Sequence, residues 1–94
     1  ISPLEIDDAI MKHKSVFQVV SFSIPHKKLG EDIASAVVLK ENHNLTEKEI
    51  KLFLGDKLAT FKIPKKIVFL QEIPKGNTGK LQRIGLAKTL GLDK

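Results

Sequence analysis

Apolar residues along this chain alternate between helical steps of three and four and denser β-branched runs, and the switches predict its elements. Ser2, Pro3 and Glu5 supply an N-cap, a proline at the first helical position and a capping-box acid. Ile6, Ala9, Ile10 and His13 then share one face, which predicts an amphipathic helix over residues 3–13. Asp7 and Asp8 lie near its start, where the helix dipole favours acids. His13 reads as a partner of the C-terminal dipole, or a half-buried packing residue, rather than a ligand. Residues 16–24 have the β-branched and aromatic content of a strand stopped by Pro25, with Val16, Val20, Phe22 and Ile24 on one face. A polar turn, His26-Lys27-Lys28-Leu29-Gly30-Glu31, leads into a second strand over 33–39, and the short connection predicts an antiparallel pair.

Beyond a loop at 41–44, Thr46 and Glu49 form another capping box. Ile50, Phe53, Leu54 and Leu58 follow at helical spacing, which predicts a helix over 47–58 despite Gly55. Pro64 resists further helix, and residues 67–70 read as a third short strand. After the segment Pro74–Lys80, helical spacing resumes through Leu81, Ile84, Ala87 and Lys88, giving a terminal helix over 81–90 that Gly91 would end. The order helix, strand, strand, helix, strand, loop, helix implies an α+β domain, a small sheet of about three strands flanked by helices.

Ninety-four residues suit one domain, residues 1–94, with a small core. The absence of cysteine excludes disulfides and thiolate metal sites, and His13, His26 and His43 are too scattered for a zinc set, so no metal site is expected. No apolar run approaches the roughly 18 residues of a membrane span, nothing resembles a signal peptide, and a soluble cytoplasmic protein is expected. The first residue is Ile1 rather than Met, and the chain reads as a fragment of something longer.

Charge is unevenly placed: residues 1–61 hold 8 Lys/Arg against 9 Asp/Glu, whereas residues 62–94 hold 8 against 2. The basic third suits a solvated surface, a nucleic acid, or a small polyanion such as a nucleotide or coenzyme A. Phe69 is its one aromatic beyond Phe61, poor material for a base-stacking platform. No paired-carboxylate, Ser/His/Asp or Cys/His constellation appears, so a self-contained active site is not expected.

Chemistry gathers instead in Pro74-Lys75-Gly76-Asn77-Thr78-Gly79-Lys80, a shaped glycine-rich turn that delivers Lys80 at its rim. Backbone N–H groups and a lysine ammonium suit a phosphoryl group. The Walker pattern fails, because Pro74 stands where it needs glycine and Leu81 where it needs Ser or Thr. Lys80 can meet a phosphate or carboxylate as a point charge, and any nucleotide site lies mostly elsewhere.

Together with Ile1-Ser2-Pro3-Leu4-Glu5-Ile6, Ile24-Pro25-His26, Leu29-Gly30-Glu31, Ala36-Val37-Val38-Leu39, Leu58-Ala59-Thr60-Phe61-Lys62-Ile63-Pro64 and Ile73-Pro74-Lys75, the run Thr78-Gly79-Lys80-Leu81-Gln82-Arg83 resembles the C-terminal domain of the adenylate-forming acyl-activating enzymes. That family includes acyl-CoA synthetases, firefly-type luciferases and the adenylation domains of peptide synthetases, and the resemblance covers essentially the whole chain. It implies that this is a mobile lid over a large N-terminal domain that holds ATP, Mg²⁺ and a carboxylic acid and is absent here. It implies that Lys80 is the catalytic lysine of acyl-adenylate formation, on a loop shaped by Gly76, Thr78 and Gly79, and that the lid then rotates for attack by the thiol of coenzyme A. His26, Lys27, Gly30, Glu31 and Arg83 become candidates for a coenzyme A contact or the domain interface, beside the plainer readings of a hairpin turn and of packing. The opening and the short linkers look more like acyl-CoA synthetases of the medium-chain, oxalyl or coumaroyl type than like peptide-synthetase domains acting on a carrier protein. On this reading the partners are the parent's own N-terminal domain, the acid and coenzyme A, with no nucleic acid, and the fragment alone is inactive. A stand-alone basic module for nucleic acid or an acidic protein is the alternative.

Overall fold

The computed structural model describes residues 2–26, 28, 30–74, 83 and 85–92. Its sheet is built around the strand Gly30–Leu39 (β2), the middle of three in the order β1-β2-β3. Ile33 to Val38 are all buried, as expected of a strand covered on both faces. The strand Val16–His26 (β1) pairs with β2 antiparallel, from Val16 opposite Leu39 to His26 opposite Gly30. The strand Lys66–Phe69 (β3) runs parallel to β2, with Ala34 opposite Lys66 and Val37 opposite Phe69. A parallel neighbour needs a crossover, and the helix Glu47–Leu54 (α2) with the 3₁₀ turn Thr60–Lys62 supplies it.

The helix Pro3–Met11 (α1) and α2 cover one face of the sheet, where Ile6, Ile10, Ile50 and Leu54 meet Val19, Val37 and Ile67. The short helix Leu86–Thr89 (α3) serves the other face, where Leu86 and Ile73 pack in one cluster with Val20, Phe22 and Val38. The α+β expectation holds, as three layers with the sheet in the middle.

Several expected details are corrected. Val16 does not share a face with Val20, Phe22 and Ile24: the register shifts by one residue between Val16 and Gln18, which turns Val16 toward α1 and α2 and leaves Phe17 63% exposed. Pro25 does not stop β1, which continues to His26, because β1 is an edge strand and its outer side needs no donor. Ser2 caps α1 without a side-chain hydrogen bond, and Glu5 pairs with Lys62 at 3.0 Å instead of closing a capping box. α1 ends at Met11 and α2 at Leu54, each short of its expected end. Gly85, with φ of 85°, has a left-handed backbone that no helix over 81–90 could pass through, so α3 begins after it. Residues 81, 82 and 84 lie outside the described residues.

Other expectations hold. Thr46 and Glu49 form the reciprocal capping box at the start of α2. Gly91, with φ of 73°, closes α3 as a Schellman motif in which Leu92 N–H donates to Ala87 and Gly91 N–H to Lys88. His13 packs edge-on against Phe53, with ring centroids 4.7 Å apart.

Leu54 is fully buried and Leu52, on the same helix, is 70% exposed. Leu54→Ala is expected to cost about 2–5 kcal/mol in urea unfolding of this chain, and Leu52→Ala less than about 0.5 kcal/mol; equal costs would contradict the packing described.

Candidate functional site

Both flanks of the glycine-rich segment are anchored. Ile73, 2% exposed, precedes it and Leu86, also 2% exposed, follows it, and the two belong to one apolar cluster. Lys80, Gly76, Thr78 and Gly79 lie outside the described residues, so the structure describes what the loop is fastened to.

Arg83 is the strongest fastening. Its Nη2 lies 2.9 Å from Asp7 Oδ2, and its Nη1 donates to the backbone carbonyl of Ser21. Asp7 Oδ1 in turn accepts the backbone N–H of Ser21 at 2.7 Å. Ser21 thus turns its N–H and C=O away from β2, toward the open edge of β1, and the Asp7–Arg83 pair meets both. A residue facing outward in this way forms a non-hydrogen-bonded pair with its opposite number, where side chains approach closely. Its partner Ser35 accordingly lies with Oγ 2.7 Å from Ser21 Oγ, and both serines are fully buried. The arrangement uses what a guanidinium has and an ammonium lacks, a rigid fork that reaches a carboxylate and a carbonyl at once.

Sequence reasoning placed Arg83 at an interface or in packing and treated Asp7 only as a helix-dipole acid. Asp7 nonetheless lies between Ile6 and Ile10 on the arc of α1 that faces the sheet, and it is 8% exposed. An acid inside an apolar arc was the available signal, because burial demands a partner.

The other sequence candidates lie elsewhere on the domain. His26 and Gly30 close the β1–β2 hairpin as a cross-strand pair, with Glu31 next to them and exposed. Gly30 has φ of 86°, a conformation that suits glycine in a tight turn. Lys27 and the His26 side chain lie outside what is described. Five residues of strand, about 17 Å, separate His26 from Ser21, so the hairpin and Arg83 are not brought together. At the opposite end of the sheet, Phe17, Leu39, Lys40, His43 and Phe69 line an open groove of about 870 Å³.

Among the described residues no nucleophile emerges. His43 Nδ1 lies 3.0 Å from Ser15 Oγ, but Ser15 is buried and its N–H donates to His13 Nδ1, which makes the group a tie between the end of α1 and the loop before α2. Among the described residues no group of three or more His, Cys, Asp or Glu could hold a metal ion. Among the same residues no helix is long and apolar enough to cross a membrane. Among the described residues the arrangement can therefore fasten the flanks of the glycine-rich segment, but it does not complete a reaction centre.

The chain belongs to the family of AMP-binding enzyme C-terminal domains, whose profile matches residues 5–80. Among its relatives, an oxalate–CoA ligase of Arabidopsis thaliana is 42% identical over 83 residues, 88% of this chain and 16% of that protein. A mitochondrial medium-chain acyl-CoA ligase of Rattus norvegicus is 34% identical over 90 residues, 96% of this chain and 15% of that protein. The crystal structure of ATP-bound MatB from Rhodopseudomonas palustris superposes with a TM-score of 0.87 at 29% identity, covering 95% of this chain and 18% of that one. The chain thus spans about one sixth of the length of the curated relatives it matches.

Because Asp7, Arg83 and Ser21 close on one another, Asp7→Ala and Arg83→Ala should not be additive. A double-mutant cycle in urea is expected to give a coupling of about 0.5–3 kcal/mol; a coupling of zero would mean that the two side chains do not support one another.

Proposed function

We propose that this chain is the C-terminal lid of an ATP-dependent carboxylic acid–CoA ligase and that Lys80 is its adenylation lysine. The observation that carries the reading is the family match, which extends through Thr78-Gly79-Lys80 and ends at that lysine. In the first half-reaction a carboxylate oxygen attacks the α-phosphorus of ATP, and pyrophosphate leaves. Two anions must approach, and a compact ammonium held near both offsets their repulsion and the charge that develops at phosphorus. In the second, the thiol sulfur of coenzyme A attacks the acyl carbon, AMP leaves with the bonding electrons, and the thiol proton goes to solvent. Rotation of the lid between the two steps withdraws the lysine and presents another face, a gating motion of the domain-closure type.

The supporting chemistry is divided between domains. ATP, Mg²⁺ and the acid are held mainly by the large N-terminal domain, consistent with a chain that matches about one sixth of its relatives' length. The small domain does not choose the acid on this reading. Proteins named for acids as unlike as oxalate and a medium-chain acyl group carry domains 42% and 34% identical to this one. A short dicarboxylate and an aliphatic tail share only the carboxylate that Lys80 would meet.

The test is carboxylate-dependent ATP–pyrophosphate exchange by the full-length parent across a panel of acids, with and without Lys80→Ala. Exchange is expected to fall about 10²–10³-fold or more in the variant, the scale on which removing one preorganised electrostatic contact acts. Undiminished exchange by a folded Lys80→Ala parent would refute the assignment. The acid that supports exchange in the wild type identifies the substrate class.

A further inference from the structure

The two edges of the sheet are closed by the same chemistry but from different sources. At the β3 edge, Glu47 accepts the N–H of Ile67 at 2.8 Å and Lys51 donates to the carbonyl of Lys65 at 2.9 Å. Both side chains come from α2, at positions i and i+4, and pair with each other at 3.6 Å. Closing an edge therefore needs nothing beyond one covering helix. At the β1 edge the acid, Asp7, comes from the covering helix α1, but the base does not: Arg83 reaches in from the outgoing end of the glycine-rich segment.

We infer that Asp7 and Arg83 are positioning residues for the adenylation half-reaction, fixing the outgoing end of the lysine loop to the edge of β1; the inference rests on Lys80 being the adenylation lysine. Chain geometry shows what the tie accomplishes. Lys80 lies three residues before Arg83, and three residues span at most about 11 Å, so a fixed Arg83 confines the Lys80 Cα within that radius. Without it, the fastened residues around Lys80 are Ile73, seven residues before it, and Leu86, six after it, whose N–H donates to the Arg83 carbonyl at 3.4 Å, and the six residues to Leu86 span at most about 22 Å. Neither Asp7 nor Arg83 needs to touch substrate for this; they act through the loop.

The experiment separates the two half-reactions in the full-length parent. ATP–pyrophosphate exchange reports adenylation, and coenzyme A thioester formation from supplied acyl-adenylate reports the step that does not use Lys80. Arg83→Ala and the nearly isosteric Asp7→Asn are expected to lower exchange by about 10- to 100-fold, the cost of misplacing a reacting group, and to leave thioester formation within about twofold. Arg83→Lys, which keeps the charge and loses the fork, should fall between them and wild type. Glu47→Gln at the other edge measures edge closure without the loop and should leave the ratio of the half-reactions unchanged. Equal losses in both half-reactions for Asp7→Asn, or undiminished exchange in both Asp7→Asn and Arg83→Ala, would overturn the inference. Lys80→Ala in the same assays keeps the two claims apart. If its exchange collapses while that of Arg83→Ala and Asp7→Asn stays normal, only the positioning role falls; if its own exchange is normal, the lysine assignment falls.

Discussion

Ser21 offers both of its backbone hydrogen-bonding groups to the open side of β1, and the ion pair of Asp7 with Arg83 answers both at once. An unpaired strand edge is a template for pairing with other chains, and a three-stranded sheet has two such edges for a single central strand. Here each edge is met by one acid for an N–H and one base for a C=O, Asp7 and Arg83 at β1 and Glu47 and Lys51 at β3. The cost of burying an acid beneath α1 is offset because each of its two oxygens finds a donor, Ser21 N–H for Oδ1 and Arg83 Nη2 for Oδ2. Consistent with this, among the described residues no buried side-chain nitrogen or oxygen lacks a partner.

That closure also fixes how the layers meet. Asp7 can reach Ser21 only if α1 lies across β1 in one register, and the same register places Ile6 and Ile10 over Val19 and Val37. The one-residue shift at Phe17 belongs to the same geometry. It lets Val16 join the cluster beneath α1 and α2 while Val20 and Phe22 face α3, so β1 serves both layers.

The order of elements, the antiparallel hairpin, the capping box at Thr46 and the glycine stop at Gly91 were all legible in the sequence, because each is set by residues within a few positions of one another. What was not legible depended on partners far along the chain. Glu5 follows a Ser-Pro start as a capping acid should, yet a lysine 57 positions away takes it. Pro25 breaks a strand only if its missing N–H would have been used, and edge position decides that. A bulge leaves no local mark in Val16-Phe17-Gln18, since only the pairing with β2 reveals the extra residue. For the candidate site, the loop and its lysine stood out by composition, whereas Asp7 looked like an ordinary first-turn acid until Arg83 was seen beside it, 76 residues away in the chain.

On the proposed reading, these features meet a single mechanical requirement. A lysine presented to one half-reaction and withdrawn for the next by rotation of its whole domain is placed only as accurately as the domain is stiff. Flexibility within the loop would blur the position that rotation sets, and a reacting group misplaced by about 1 Å can lose 10²-fold in rate. Glycine is conformationally permissive, so a glycine-rich sequence has more conformational entropy to lose than a stiffer one. The narrowing has to come from the ends, and the two flanks are fastened by different physics: Ile73 and Leu86 by burial in a shared apolar cluster, Arg83 by a directional fork onto Asp7 and Ser21. Burial alone fixes depth and leaves azimuth soft, because apolar contact is non-directional. A bidentate guanidinium fixes direction, which explains why the residue three positions beyond the lysine is an arginine held at a strand edge rather than another leucine in the core.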